Sequence, residues 1–344
     1  MSKIVTFGEI MLRLSPPEFL RFSQASHFDI EFGGGESNVA ISLSKFGLST
    51  EFITRLPNND IGDCAKMELR KHGVGVDKIV YGGERLGIYF LETGAISRGS
   101  KVVYDRAHSS MATIQPGMID WEKALDGVTW FHWTGITPAI SQSAADVCLE
   151  ALKVASAKGI TISTDFNYRA KLWNYCDENL RKNIMTELSS YCNIILCNQE
   201  DAAVFFGIHP AKSATETNRE NDILSVIEQL FKKFPNARKI ATTLRTSISA
   251  SHNTWSAILC DRENTYKTKT HQLNPIVDRV GGGDSFMAGL IYGLNTYTDD
   301  YQKAVDFAVA ASCLKHSIKG DVNLVSVEEV TKLMEGDSSG KVAR

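Results

Sequence analysis

From about residue 107 onward, short apolar runs alternate with longer segments whose apolar residues recur every three to four positions. Strands are expected at 128–133, 160–165, 193–197 and 238–243. Helices are expected at 141–158, 177–190, 199–206, 221–234, 301–315 and 326–333. Strands separated by helices cannot pair as hairpins, so they must lie parallel, and the helices then cover both faces of the sheet. The alternation therefore predicts an α/β chain: a three-layer α/β/α fold around a central, mostly parallel sheet. In such sheets the loops beyond the strand C-termini carry the site. Nearer the start, 3–8 and 50–55 read as strands and 60–72 as a helix. Two segments break the pattern. Residues 12–32 hold Pro16 and Pro17 in an irregular alternation, and 86–106 hold two strand-like pieces, 87–92 and 101–106, joined by a turn with Gly and Ser. Such pieces suit edge strands and hairpins, and together they predict a small β-sheet lid. Two further strand-like pieces lie at 254–260 and 264–270. One domain over 1–335 is expected, followed by a polar, frayed tail at 336–344.

Val277-Asp278-Arg279-Val280-Gly281-Gly282-Gly283-Asp284-Ser285 breaks at three glycines and restarts as a helix from about Asp284. A helix start leaves backbone N–H groups unpaired and carries partial positive charge. Glycine lets a ligand come close, so Gly281, Gly282 and Gly283 would make an anion hole with Asp284 at its rim. Phosphoryl transfer needs such a hole and a base for the attacking hydroxyl, a role open to Asp284. An Asp-capped glycine turn would look the same in isolation.

A second cluster, Phe32-Gly33-Gly34-Gly35-Glu36-Ser37-Asn38, opens a helix with Val39, Ile41, Leu43 and Phe46 on its apolar face and Gly47 at its end. It is not a dinucleotide fingerprint: it comes about 25 residues after the first strand rather than directly behind it, and it lacks the last glycine. A backbone surface for a polyhydroxylated ligand fits better, with the Asn38 amide donating and accepting. Tyr104 and Arg106 alternate on one lid strand, Tyr89 lies on the other, and Arg169 follows a core strand. Arginine forks pair with carboxylates, so these residues point to an anionic substrate.

The net charge of −3 gives no electrostatic case for nucleic acid or membrane binding. No apolar run nears the roughly 20 residues of a membrane span. The seven cysteines form no CxxC pair, which suits a reducing cytoplasm. The eight histidines show no metal-ligand spacing, so no protein-bound metal centre is expected. His132, inside an apolar run, reads as a core residue.

Gly34-Gly35-x-x-Asn38, paired with Asp278-x-x-Gly281-x-Gly283-Asp284, resembles the ribokinase-like (pfkB) family of carbohydrate kinases, in the same order and over roughly 3–333. Further pieces resemble the branch that phosphorylates 2-keto-3-deoxygluconate. They are Gly87-x-Tyr89, Tyr104-x-Arg106, Phe131-x-x-x-Gly135-Ile136-Thr137-Pro138, Asp165-x-Asn167-Tyr168-Arg169-x-x-Leu172-Trp173 and Gly320-Asp321. The resemblance implies a ribokinase-like fold and transfer of a phosphoryl group from ATP to the sugar acid's 6-hydroxyl. It implies Asp284 as base and the amides of Gly281 to Gly283 as the anion hole. Gly34, Gly35 and Asn38 would hold sugar hydroxyls, Tyr89, Tyr104, Arg106 and Arg169 the keto-acid end, and Asp321 the substrate from the C-terminal side. Asn167, Asn198, Asp201, Thr243, Arg245 and Asp278 are implied on the nucleotide side. Mg²⁺ would come with ATP, and a monovalent cation is a further candidate ion. A cytoplasmic homo-oligomer without nucleic-acid or membrane partners completes the expectation.

The sequence departs from the family in four places. Arg279 and Gly282 stand where Thr and Ala are usual. Asp201 replaces a Glu in Asn198-x-x-Asp201, and the nucleotide loop Thr243-Leu244-Arg245-Thr246-Ser247-Ile248-Ser249 holds no glycine. Two alternatives stay open: another sugar specificity, such as fructokinase, and a sugar-binding sensor with weak catalysis.

Overall fold

Ile4 and Val5 are both fully buried, yet successive side chains of a strand point to opposite faces. Their strand must therefore be covered on both sides. The computed structural model, which describes residues 2–211 and 219–337, shows how. Ile4, Trp130, Ile194 and Leu196 enter one apolar layer with Phe286 and Phe307. Val5, Phe131, Ile195 and Ile240 enter another with Cys148 and Phe205. The helices Gly35–Lys45, Gly282–Thr296 and Tyr301–Lys315 supply the first layer; Gln142–Ala157, Glu178–Ser189, Gln199–Phe206 and Arg219–Lys233 supply the second.

Across the central sheet the strands run Thr265–Lys267, His252–Cys260, Lys239–Ser249, Ile194–Leu196, Thr161–Asp165, Trp130–Thr134, Lys3–Phe7 and Ser49–Ile53. The pairs from Lys239–Ser249 to Ser49–Ile53 are parallel. The remaining strands, with His271–Leu273 beside His252–Cys260, form an antiparallel margin. The expected α/β/α layering is thus observed. His132 is a core residue as expected, with Nδ1 2.9 Å from the Ser163 hydroxyl.

One strand corrects the sequence reading. Lys239–Ser249 does not stop at 243; it runs on through the expected nucleotide loop as one arm of a hairpin with His252–Cys260. Thr243, Thr246 and Ile248 are β-branched residues that favour this pleat, and a strand needs no glycine. The expected piece at 264–270 forms a strand only over Thr265–Lys267, and a further strand, His271–Leu273, follows it. The short helices Trp121–Ala124 and Ile136–Ile140, and the strand pair Arg55–Leu56 with Val80–Tyr81, had no sequence counterpart.

The second sheet runs Asp29–Gly33, Met11–Ser15, Ile88–Glu92 and Lys101–Asp105, which exceeds the expected segments 12–32 and 86–106 by one residue at Met11 and at Gly33. Glu31, Arg13, Tyr89 and Tyr104 stand in one cross-strand row, and Ile30, Leu14, Phe90 and Val103 in the next. Adjacent rows face opposite ways, so the first looks into the molecule and the second outward. Of the expected tail, 338–344 lie outside the described residues.

Candidate active site

Two helix starts meet at the strand C-termini. Gly281 has φ of 79° and caps the helix Gly282–Thr296, with its carbonyl accepting the Ser285 N–H at 2.8 Å. A Cβ at Gly281 would collide with the Asp321 carbonyl oxygen, so only glycine fits this turn. The Gly282 N–H turns back toward the Arg279 carbonyl at 3.4 Å. The amides of Gly283 and Asp284, which precede the helical ladder, are the ones left to meet an anion. The second helix, Gly35–Lys45, starts after Gly34, where a Cβ would strike the Glu9 carbonyl.

Between these starts, Asn38 donates from Nδ2 to Asp284 Oδ2 at 2.7 Å, while its Oδ1 accepts the Gly34 N–H at 3.3 Å. This fixes the Asp284 carboxylate in place. Burial pushes Asp284 up to about 6, offset by the Asn38 bond and by the charges of Arg169 and Lys315. A carboxylate so placed is ionised at neutral pH, yet basic enough to take a hydroxyl proton.

A cavity of about 580 Å³ opens in front of Asp284. It is lined by Gly34, Gly35, Asn38, Tyr89, Tyr104 and Asp321. Asn167, Arg169, Asn198, Asp201, Thr243 and Arg245 line it as well. Most residues singled out in the sequence thus meet in one cavity.

Two do not line it. Arg106 is buried and donates from Nε (2.8 Å) and Nη2 to Glu9 Oε2, and the Ser109 hydroxyl also bonds Glu9. The strand Lys101–Asp105 ends there, so Arg106 leaves the row of Tyr104 and turns into the protein. Asp278 is likewise buried beneath the glycine turn. Its Oδ1 accepts the Val280 N–H at 3.0 Å, and its Oδ2 accepts Gly320 N–H at 3.1 Å and Arg13 Nη2 at 2.7 Å. Neither expectation of direct ligand contact is met in this geometry. Both residues act as clamps.

Arg13 is the residue that sequence reading missed. It is fully buried and reaches Asp278 with one nitrogen and Asp321 Oδ1 with another, the latter at 2.6 Å. The Tyr89 hydroxyl donates to Asp321 Oδ2. Asp321 therefore lines the cavity with both oxygens already bonded. Arg13 sits at an inward position of a strand, the only signal available; its partners lie 265 and 308 positions away in the chain. Asp165 was quoted within a motif but given no role. It faces the glycine turn, with Oδ2 3.8 Å from the place a Cβ of Gly283 would take. Burial holds its carboxyl well above the usual range, and the charges of Asp201 and Asp284 add to this.

Arg219, Arg245 and Arg279 also line the cavity. Arg279 donates to the Ala250 carbonyl at 2.6 Å, and Arg219 to Thr246 Oγ1 at 3.2 Å. Asn198 and Asp201 cap the helix Gln199–Phe206 reciprocally, and Asp201 Oδ1 also accepts the Tyr168 N–H at 3.1 Å. Burial pushes Asp201 up to about 6. Among the described residues no three His, Cys, Asp or Glu side chains gather as a metal cage. Mg²⁺ fits without one, because it keeps water and phosphate ligands and takes one or two carboxylates.

Residues 1–326 match the pfkB family of carbohydrate kinases. The chain is 28% identical to a 2-dehydro-3-deoxygalactonokinase of Haloferax volcanii, over 98% of each chain. It is also similar to the crystal structure of a 2-dehydro-3-deoxygluconokinase from Thermotoga maritima. The identity there is 45%, the TM-score 0.91, and the match covers 98% of this chain and 100% of that one. A Pyrococcus horikoshii sugar kinase, solved in complex with ATP, shares the fold with a TM-score of 0.75 at 19% identity, over 96% and 97% of the two chains.

Proposed function

The chain belongs to the pfkB family of carbohydrate kinases, and we propose that it transfers the γ-phosphoryl group of ATP to the 6-hydroxyl of 2-keto-3-deoxygluconate. The product is 2-keto-3-deoxy-6-phosphogluconate. One observation carries this reading: the Asp284 carboxylate, bonded to Asn38, lines the cavity in the first turn of the helix that the glycines open.

In the proposed reaction Asp284 takes the proton of the 6-hydroxyl. The oxygen bonds to the γ-phosphorus, the bond to the β–γ bridging oxygen breaks, and ADP leaves. The amides of Gly283 and Asp284 meet the charge on the moving phosphoryl group. Arg245, Arg279 and Arg219 suit the phosphate chain. Asp165 and Asp201 would hold Mg²⁺, which would supply neutralisation of the phosphate charge. Sugar hydroxyls fall to Gly34, Gly35 and Asn38. With Arg106 bonded to Glu9, the substrate carboxylate falls to Arg169, which is exposed at the rim and has no carboxylate within 4 Å among the described residues. Tyr104, and Tyr89 through Asp321, would shape that end. The gluconate epimer is favoured because the 45% identical neighbour acts on it by name.

We place the enzyme in the cytoplasm as a homo-oligomer that joins through the outward face of the lid. Substitution of Asp284 by Asn tests the reaction itself. Turnover should fall by about 10²–10⁴-fold while calorimetric binding of the sugar acid is kept. Retained turnover would remove Asp284 from the role of base.

A further inference from the structure

Directly behind the anion hole lies a charge that the reaction above does not use. Lys315, the last residue of the helix Tyr301–Lys315, is completely buried. Its Nζ donates to the carbonyl oxygens of Asp278 at 3.3 Å and Ile318 at 3.1 Å. These carbonyls belong to two different loops. The first, 277–281, leads into the helix of the anion hole; the second, 316–321, leads to Asp321. The loops are also joined by Val277 N–H to the His316 carbonyl at 2.8 Å and by Gly320 N–H to Asp278 Oδ2 at 3.1 Å. The lysine stem passes under the glycine turn, with Cε 3.4 Å from the place a Cβ of Gly281 would occupy.

An ammonium is costly to bury, and burial pulls Lys315 below its ordinary value. Asp278 and Asp321 oppose that shift, and they hold the charged form in place. Backbone carbonyls converging from two loops on one buried positive charge are also the ligand set of a monovalent cation. Here the oxygens are taken. A second cation on the same carbonyls would stand within about 4 Å of the ammonium and be repelled. The residues present therefore do not fit a monovalent cation at this place.

We propose that Lys315 is a positioning residue, a tethered ammonium that stands where a monovalent cation would otherwise tie the two loops together, so that turnover is independent of added K⁺ or Na⁺. It ties the loop before the glycine turn to the loop that carries Asp321. In doing so it fixes the first amides of the helix Gly282–Thr296 without touching substrate. The inference rests on the kinase reading, and it has a readout that does not.

The test compares wild type with Lys315→Ala in K⁺, Na⁺, ammonium and tetramethylammonium chloride at one ionic strength. For wild type, kcat should vary by less than about twofold among the salts, and Tm should not distinguish K⁺ from tetramethylammonium. For Lys315→Ala, kcat should fall about 100-fold with little change in the KM for the sugar acid. K⁺ or ammonium should restore about tenfold of that loss and raise Tm, and tetramethylammonium should do neither. A wild-type kcat or Tm that rises specifically with K⁺ would overturn the proposal. So would a variant with wild-type kcat, or one whose loss neither ion repairs. Should the variant not fold, the wild-type salt series decides alone. Absence of turnover with any sugar acid would count against the substrate reading only, because the melting arm needs no substrate.

Discussion

Arg106 and Arg169 look alike in the sequence and separate in the fold. Arg106→Ala removes the partner of the buried Glu9 carboxylate, a change that costs about 3–5 kcal/mol. We expect it to lower the chemical-denaturation midpoint, with activity lost in step with the folded fraction. Arg169→Ala should leave that midpoint in place and raise the KM for the sugar acid about tenfold or more, as loss of a charged hydrogen bond does. The reverse pattern would restore Arg106 to the substrate. The pH dependence belongs to Asp284 and is expected in two forms. Because burial raises its pKa to about 6, kcat/KM should fall below about pH 6 as the base is protonated. For stability the sign is opposite: the neutral form is favoured in the fold, so the stabilising contribution is complete below about pH 4 and lost as pH rises through about 6. Asp284→Asn should therefore be more stable than wild type above pH 7, by about 1–3 kcal/mol, read from its melting curve. Legibility at this scale was uneven. Asp284, Asn38 and the glycines could be found because a helix start has a local signature. Arg13 could not, because its meaning depends on Asp278 and Asp321, which only the folded chain brings to it.

At the scale of elements, the helices at 199–206 and 301–315 were readable to the residue, since their starts are capped by Asn198 and Asp300. The hairpin Lys239–Ser249 with His252–Cys260 was not. Its first arm begins as a buried parallel strand and ends as an exposed antiparallel one, so its apolar pattern changes halfway. On the proposed reading the nucleotide meets a glycine-free wall, with Thr243 and Arg245 on a strand in place of a loop. Arg245→Ala should raise the KM for ATP several-fold to tenfold and leave sugar-acid binding unchanged. Unchanged ATP kinetics would move the phosphates away from this strand.

At the scale of the molecule, the α/β/α body was legible because its alternation of strands and helices admits few other solutions. The lid was legible as a sheet, but its two faces were not, because the row that each residue joins depends on pairing between distant segments. The outward row sets Ile30, 65% exposed, and Val103, 50% exposed, beside Leu14 and Phe90, with Phe22 and Phe28 edge-on to Phe90. Such a patch is costly to leave in water, and it is the basis for the proposed self-association. Charged residues there, as in Ile30→Glu with Val103→Glu, should shift the sedimentation coefficient toward that of a monomer. A monomeric wild type would remove the proposal.

The central claim is a kinase whose cavity is built for a sugar acid, and its most direct measurement is ADP release with MgATP. The panel is 2-keto-3-deoxygluconate, its galactonate epimer, fructose and ribose. Turnover should be confined to the keto-deoxy acids, with the gluconate form preferred. Efficient turnover of fructose or ribose would contradict the reading of Arg169 and Tyr104, while leaving the fold and Asp284 as they stand.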